Sequence, residues 1–213
     1  FTPKVEVPLC GHATLATAAV LFRDIHILGR EITFETKSGK LIAKKGKNGI
    51  ILNFPIDESI PINPNQDLLK AIGIANFKNV EYAKKTKKLL IHLLSEETLR
   101  NLKPDFELMK SIPTKEDIKG VIITSPGHPP YDFVSRFFAP WIGISEDPVT
   151  GAAHTVLAPY WSKILGKREM LAYQASSRGG KLVVQLHSND RVELIGNAVI
   201  VLKGKLYLQW EKH

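Results

Sequence analysis

Glu146-Asp147-Pro148-Val149-Thr150-Gly151-Ala152-Ala153-His154 reads as a turn that opens a helix, and the fold is worked out from it. Asp, Pro and Gly mark the turn, and an apolar helical pattern then continues to about Leu165. Thr150 is placed to cap that helix with its hydroxyl. The N–H groups of Gly151, Ala152 and Ala153 point out of the helix start. With the positive end of the helix dipole they form a cup for an anion. Gly151 has no side chain to keep a ligand from the backbone. Asp147 sits at the rim as a proton carrier or hydrogen-bond acceptor.

The same arrangement occurs near the start of the chain. Pro8-Leu9-Cys10-Gly11-His12-Ala13-Thr14 leads from a Gly-bearing turn into an apolar helix ending near Phe22. Each helix is followed, at nearly the same spacing, by two strand-like runs. These are Ile32 to Thr36 and Gly39-Lys40-Leu41 after the first, and Leu171 to Ala175 and Gly180-Lys181-Leu182 after the second. Turns at Asn48 and Asn189 follow. This is an internal duplication, and two copies predict two similar half-domains.

Both helices are apolar on almost every side, so each has to be wrapped. Short strand-like runs supply the wrapping: Ile50 to Phe54, Leu89 to Leu93, Gly120 to Thr124, Asp132 to Phe138, Leu182 to Leu186, Arg191 to Ile195, Ala198 to Leu202 and Lys205 to Leu208. Pro159 inside the second helix predicts a kink. Asp67 to Ile74, Ser95 to Leu102 and Asp105 to Ile112 read as short helices, after a passage bearing Pro55, Pro61 and Pro64. The expected fold is α+β, with two similar domains, each a curled, barrel-like sheet around a central helix. Residues 1–58 with 197–213 form the first domain, its N-terminal part missing, and 59–196 form the second. If the two helix starts face each other, their cups share one cleft.

The 213 residues, 44% of them hydrophobic, can bury a substantial core. A single cysteine excludes an intrachain disulfide and points to a reducing, cytoplasmic setting. No apolar run is long enough to span a membrane. The start at Phe1-Thr2-Pro3 suggests a processed or truncated product. The net charge of +8 gathers at Lys44-Lys45-Gly46-Lys47 and Lys84-Lys85-Thr86-Lys87-Lys88. Neither cluster carries the aromatics that stack on bases, so both read as solvated turns rather than a nucleic-acid surface. No Cys/His/carboxylate set has zinc spacing, and no dinucleotide fingerprint is present, so neither metal nor cofactor is expected.

Four motifs carry a resemblance. They are Glu6-Val7-Pro8-Leu9-Cys10-Gly11-His12-Ala13-Thr14, Arg136-Phe137-Phe138-Ala139-Pro140-Trp141, Glu146-Asp147-Pro148-Val149-Thr150-Gly151 and Ser177-Arg178-Gly179-Gly180. On these, over nearly its whole length, the chain resembles the phenazine-biosynthesis-like (PhzF) family, whose fold is similar to that of diaminopimelate epimerase. The resemblance implies an isomerase that moves a proton on a small amino acid or cyclic carboxylate. It assigns His12 and Asp147 as groups that hold the substrate and move protons, and the position of Ala152 as a substrate contact; the two helix-start cups add Gly11, Thr150 and Gly151 as substrate contacts. Many members have Ser where this chain has Ala152. The family's main acid/base is a Glu in an N-terminal segment that this sequence does not contain.

Weighed residue by residue, Cys10 reads as a small buried residue rather than a base, His154 as packing, and Arg136 as one half of an internal ion pair. The alternative to the isomerase is a non-catalytic binding protein that keeps the fold, with a protein partner or a second copy of itself.

Overall fold

The computed structural model describes residues 10–37, 39–205 and 207. Helix α1 (Gly11–Arg23) is followed by β1 (Glu31–Thr36), β2 (Gly39–Lys45), β3 (Ile50–Pro55) and the short β4 (Ser59–Pro61). Then come α2 (Gln66–Ile72), β5 (Asn79–Ala83), β6 (Lys88–His92), α3 (Glu96–Asn101), α4 (Phe106–Ser111), β7 (Gly120–Pro126) and β8 (Phe133–Ala139). A 3₁₀ turn (Pro140–Ile142) and β9 (Ile144–Glu146) lead into α5 (Gly151–Leu165). The described chain closes its regular structure with β10 (Glu169–Gln174), β11 (Gly180–Leu186) and β12 (Arg191–Gly196).

The expectation of two curled, barrel-like sheets is overturned. The strands form one mixed sheet in the order β1-β2-β3-β12-β11-β10-β8-β7-β6-β5-β4, open at both ends, with β9 paired to β8 off that path. The physical reason lies at the seam. β3 does not close back on its own hairpin. It pairs antiparallel with β12, from Arg191 opposite Pro55 to Gly196 opposite Ile50. Both strands alternate buried and less buried residues, so Ile50, Leu52 and Phe54 share one core with Val192 and Leu194. Among the described residues, β1 and β4 are the two edges.

The duplication is visible in that order. Helix, hairpin and third strand occur as α1, β1-β2, β3 and again as α5, β10-β11, β12. The strands run β1-β2-β3 and then β12-β11-β10 across the seam. The three short helices form as expected and are capped by side chains. Asn65 accepts from the N–H groups of Asp67 and Leu68, Ser95 from Thr98, and Asp105 from Leu108. Two core clusters result. One holds α1, α5 and the seam strands. The other packs α2, α3 and α4 on β5 to β8.

Several local expectations change. Ala198 to Leu202 is not a strand. Among the described residues it has no ladder partner, and Val199, Val201 and Leu202 are more than four-fifths exposed. Lys205 to Leu208 lies partly outside the described residues. Pro159 sits within a continuous α5, and the carbonyl it leaves unpaired, that of Thr155, accepts from the N–H of Asp57 at 3.1 Å. Lys88 does not belong to a solvated turn. It is buried over the Phe137 ring, and loss of hydration lowers its pKa to about 8.

Candidate functional site

The starts of α1 and α5 meet backbone to backbone. A methyl group on Gly11 would lie 3.2 Å from the Gly151 Cα, and one on Gly151 would lie 3.3 Å from the Gly11 Cα. A side chain at either position would have to push the two starts apart by a few tenths of an ångström. Two positive helix ends would repel across such a contact, and Asp147 lies where it can offset them.

His12 stands at the junction on α1. Its Nδ1–H donates to the Val149 carbonyl at 3.1 Å and lies 3.8 Å from Asp147 Oδ1. With Nδ1 carrying the proton, Nε2 faces Cys10 Sγ at 3.7 Å as an acceptor. The hydrogen bond with Cys10 raises the His12 pKa, and the same bond lowers the Cys10 thiol. Cys10 is therefore not the small buried residue expected from the sequence. It is part-exposed and in contact with the imidazole. Asp147 is buried apart from one edge, and that burial raises its carboxyl pKa.

Thr150 does not cap α5 with its side chain. Its hydroxyl donates instead to Asp147 Oδ2 at 2.5 Å. Its own N–H is taken by Gln174 Oε1 at 2.8 Å. The cup at α5 is also narrower than expected, because Ala153 N–H turns back to the Thr150 carbonyl at 3.1 Å. Gly151 and Ala152 keep N–H groups with no acceptor among the described residues.

His12, Asp147, Gly11, Thr150 and Gly151 are thus brought together, and Ala152 lies one residue into the helix beside them. Pro8 and Leu9 of the first turn lie outside the described residues. His154 is packing, as expected: it is fully buried, and its Nδ1–H donates to the Thr150 carbonyl at 2.8 Å. Arg136 is the internal pair, bound through two nitrogens to Glu146 and donating to the carbonyls of Leu99 and Leu102. Sequence reading passed over Gln174. The available signal was its parity: in β10 it follows Met170 and Ala172 on the buried face. A cavity of about 410 Å3 opens elsewhere, between β4, β5 and the C-terminal half of α5, and shares no residue with this junction.

Fold and junction together define a class: a duplicated α+β protein in which two Gly-led helix starts meet with a His from one and an Asp from the other. Comparison with known proteins says which member of that class this is. The family model described as phenazine biosynthesis-like protein matches residues 1–204. The chain is 48% identical over 217 residues to a mouse protein named phenazine biosynthesis-like domain-containing protein 1, covering 97% of this chain and 75% of that one. It is 46% identical to a protein of Halalkalibacterium halodurans named an uncharacterised isomerase, covering 98% and 77%. A crystal structure from Enterococcus faecalis, described as a phenazine biosynthesis protein of the PhzF family, superposes with a TM-score of 0.86 at 40% identity, covering 98% and 76%. The chain belongs to the phenazine-biosynthesis-like (PhzF) family. Among the described residues, no helix is long and apolar enough to cross a membrane.

Proposed function

We propose that this chain is a PhzF-type isomerase that moves a proton on a small amino acid or cyclic carboxylate, with His12 and Asp147 as its proton-moving pair. The observation that carries this reading is the 3.8 Å approach of His12 Nδ1 to Asp147 Oδ1 where the two helix starts touch. The substrate carboxylate binds at the N–H groups of Gly151 and Ala152, drawn by the helix dipole. Burial raises the Asp147 carboxyl and the Cys10 contact raises the His12 imidazole, so both shifts favour the form that can give a proton. A carboxyl and an imidazole can each serve as proton donor or, once deprotonated, as acceptor. Isomerase names among the relatives point the same way.

The test is incorporation of solvent deuterium, read by mass spectrometry, into a panel of small amino acids and cyclic carboxylates. A substrate gains one deuterium at the exchanging carbon. His12→Gln and Asp147→Asn each slow the exchange by at least ~10²-fold while leaving the fold intact. No exchange across the panel by the folded protein would overturn the reading. The alternative, a binding protein that keeps the fold, draws on Ala152 and on the Thr150 hydroxyl, which is spent on Asp147 instead of facing a ligand. It requires saturable binding of a carboxylate with no exchange.

A further inference from the structure

Gln174 stands on β10, two strands from the seam and far from α1 in sequence, and is fully buried. A buried primary amide has to place each of its polar atoms. All of the Gln174 side-chain bonds go to one four-residue stretch, Asp147 to Thr150. Oε1 accepts the Thr150 N–H at 2.8 Å. Nε2 donates to the Asp147 carbonyl at 2.7 Å and to Thr150 Oγ1 at 3.1 Å. The last bond decides the direction of the next. A hydroxyl has one proton, and an oxygen accepting from Gln174 turns that proton outward. Among the described residues, the acceptor bonded on that side is Asp147 Oδ2, at 2.5 Å. From the other side, His154 holds the Thr150 carbonyl at 2.8 Å, so the residue is gripped at N–H, C=O and hydroxyl at once.

We infer that Gln174 is a positioning residue of the site: through Thr150 it aims a hydroxyl proton at Asp147 Oδ2 and leaves Oδ1 turned toward His12. The inference rests on the reading of Asp147 as a proton carrier, and it adds the part that selects which oxygen does the carrying. The Thr150 hydrogen bond also favours the charged carboxylate, against the burial that opposes it. The titratable groups that bear on Asp147 are His12 from α1 and, beyond it, Cys10. Neither belongs to the strand that carries Gln174. A Gln174 substitution therefore reaches Asp147 through Thr150 and not through a change of charge.

The experiment follows the Asp147 carboxyl carbon by NMR across pH in the full chain labelled at aspartate, with Asp147→Asn assigning the resonance. Thr150→Val is expected to move the Asp147 titration to higher pH, and Thr150→Ser to leave it in place. Gln174→Met is expected to move it in the same direction. The double variant Gln174→Met with Thr150→Val should match Thr150→Val alone, because the two residues act in series. Additive shifts, or a folded Gln174→Met variant with the unsubstituted titration, would overturn the inference. Gln174→Met also strands the buried Thr150 N–H, so a second measurement uses the unsubstituted protein. The Thr150 hydroxyl proton should show an NOE to the Gln174 side-chain amide, and its absence counts against the inference equally.

Deuterium exchange separates this inference from the reading beneath it. If the titration pattern holds and no substrate exchanges, the isomerase reading fails and the positioning role stands. If the unsubstituted protein exchanges and Gln174→Met changes neither its rate nor the titration, the positioning role fails alone. With both correct, Gln174→Met slows exchange about tenfold and Thr150→Ser retains the rate.

Discussion

α1 and α5 start from similar turns and carry similarly apolar sequences, yet the fold treats them differently. α5 buries nine of its fifteen residues, including Val156, Leu157 and Trp161. α1 buries four of its thirteen: Gly11, Ala18, Ala19 and Phe22. Ala13, Ala16 and Thr17 of α1 face outward, and Leu15, Val20 and Leu21 are half-buried. A helix is buried as deeply as its neighbours allow. α5 lies over β10, β11 and β12 with β8 beyond them, whereas α1 lies over β2 and β3 at the end of the sheet. The repeat fixes the connections, and the position in the sheet fixes the packing.

The largest expected difference is in core truncation. Trp161 stacks on Phe133 at 5.6 Å and donates its Nε1–H to Thr124 Oγ1 at 2.9 Å. Trp161→Ala should cost about 3–5 kcal/mol in denaturant unfolding, and Leu15→Ala on α1 about 1 kcal/mol. Equal costs would show that α1 is as deeply packed as α5.

Acid should separate the halves next, because their histidines titrate in opposite senses. His154 is fully buried, and burial lowers its pKa from 6.5 to about 4. Between those values only the unfolded chain takes the proton. Stability is therefore complete above about pH 6.5 and falls as the pH drops toward 4, by up to ~3 kcal/mol. His12 has a raised pKa, chiefly through Cys10. Its contribution is complete below the unfolded value and is lost as pH rises through its folded one. Unfolding measured against pH should show a shallower acid-side slope in His154→Asn, which keeps a donor for Thr150; the slope that remains belongs to His92, whose pKa burial also lowers to about 4. The opposing His12 contribution should vanish in His12→Gln.

The smallest expected effect concerns the one place where the halves are alike. Gly11→Ala and Gly151→Ala should each cost about 1–2 kcal/mol, because the added methyl meets the opposite Cα. The higher helix propensity of Ala, worth up to about 1 kcal/mol, offsets only part of this. The double variant should cost more than the two together, since the methyls then meet each other. A neutral Gly11→Ala variant in thermal unfolding would mean that the helix starts stand further apart.

Much of this was legible in order along the chain. The Gly-led turns, the apolar helices and the paired strand runs follow from local pattern, and most of their boundaries fall within a residue or two of the observed elements, although β2 runs on four residues past Leu41. Of the site, Gly11, His12, Asp147, Thr150 and Gly151 were marked by two turns that share a design. What each side chain does there was not legible. A Thr before a helix is a cap by propensity, but here its hydroxyl goes to Asp147, because the Gln174 amide donates to the hydroxyl oxygen and turns its proton that way. Cys10 is small and apolar by type, but its thiol meets an imidazole two residues on.

The sequence by itself determined most of the elements, the duplication and the residues gathered at the two turns, because these depend on neighbours a few positions apart. Only the tertiary structure decided that the strands make one open sheet, that the helix starts touch, and that a glutamine from β10 holds the threonine beside Asp147. Those outcomes rest on a strand pairing between residues 50–55 and 191–196 and on contacts between residues 11 and 151. An antiparallel edge accepts any strand whose alternation matches its own. The choice of β12 as the partner of β3 was therefore made by the core they bury together.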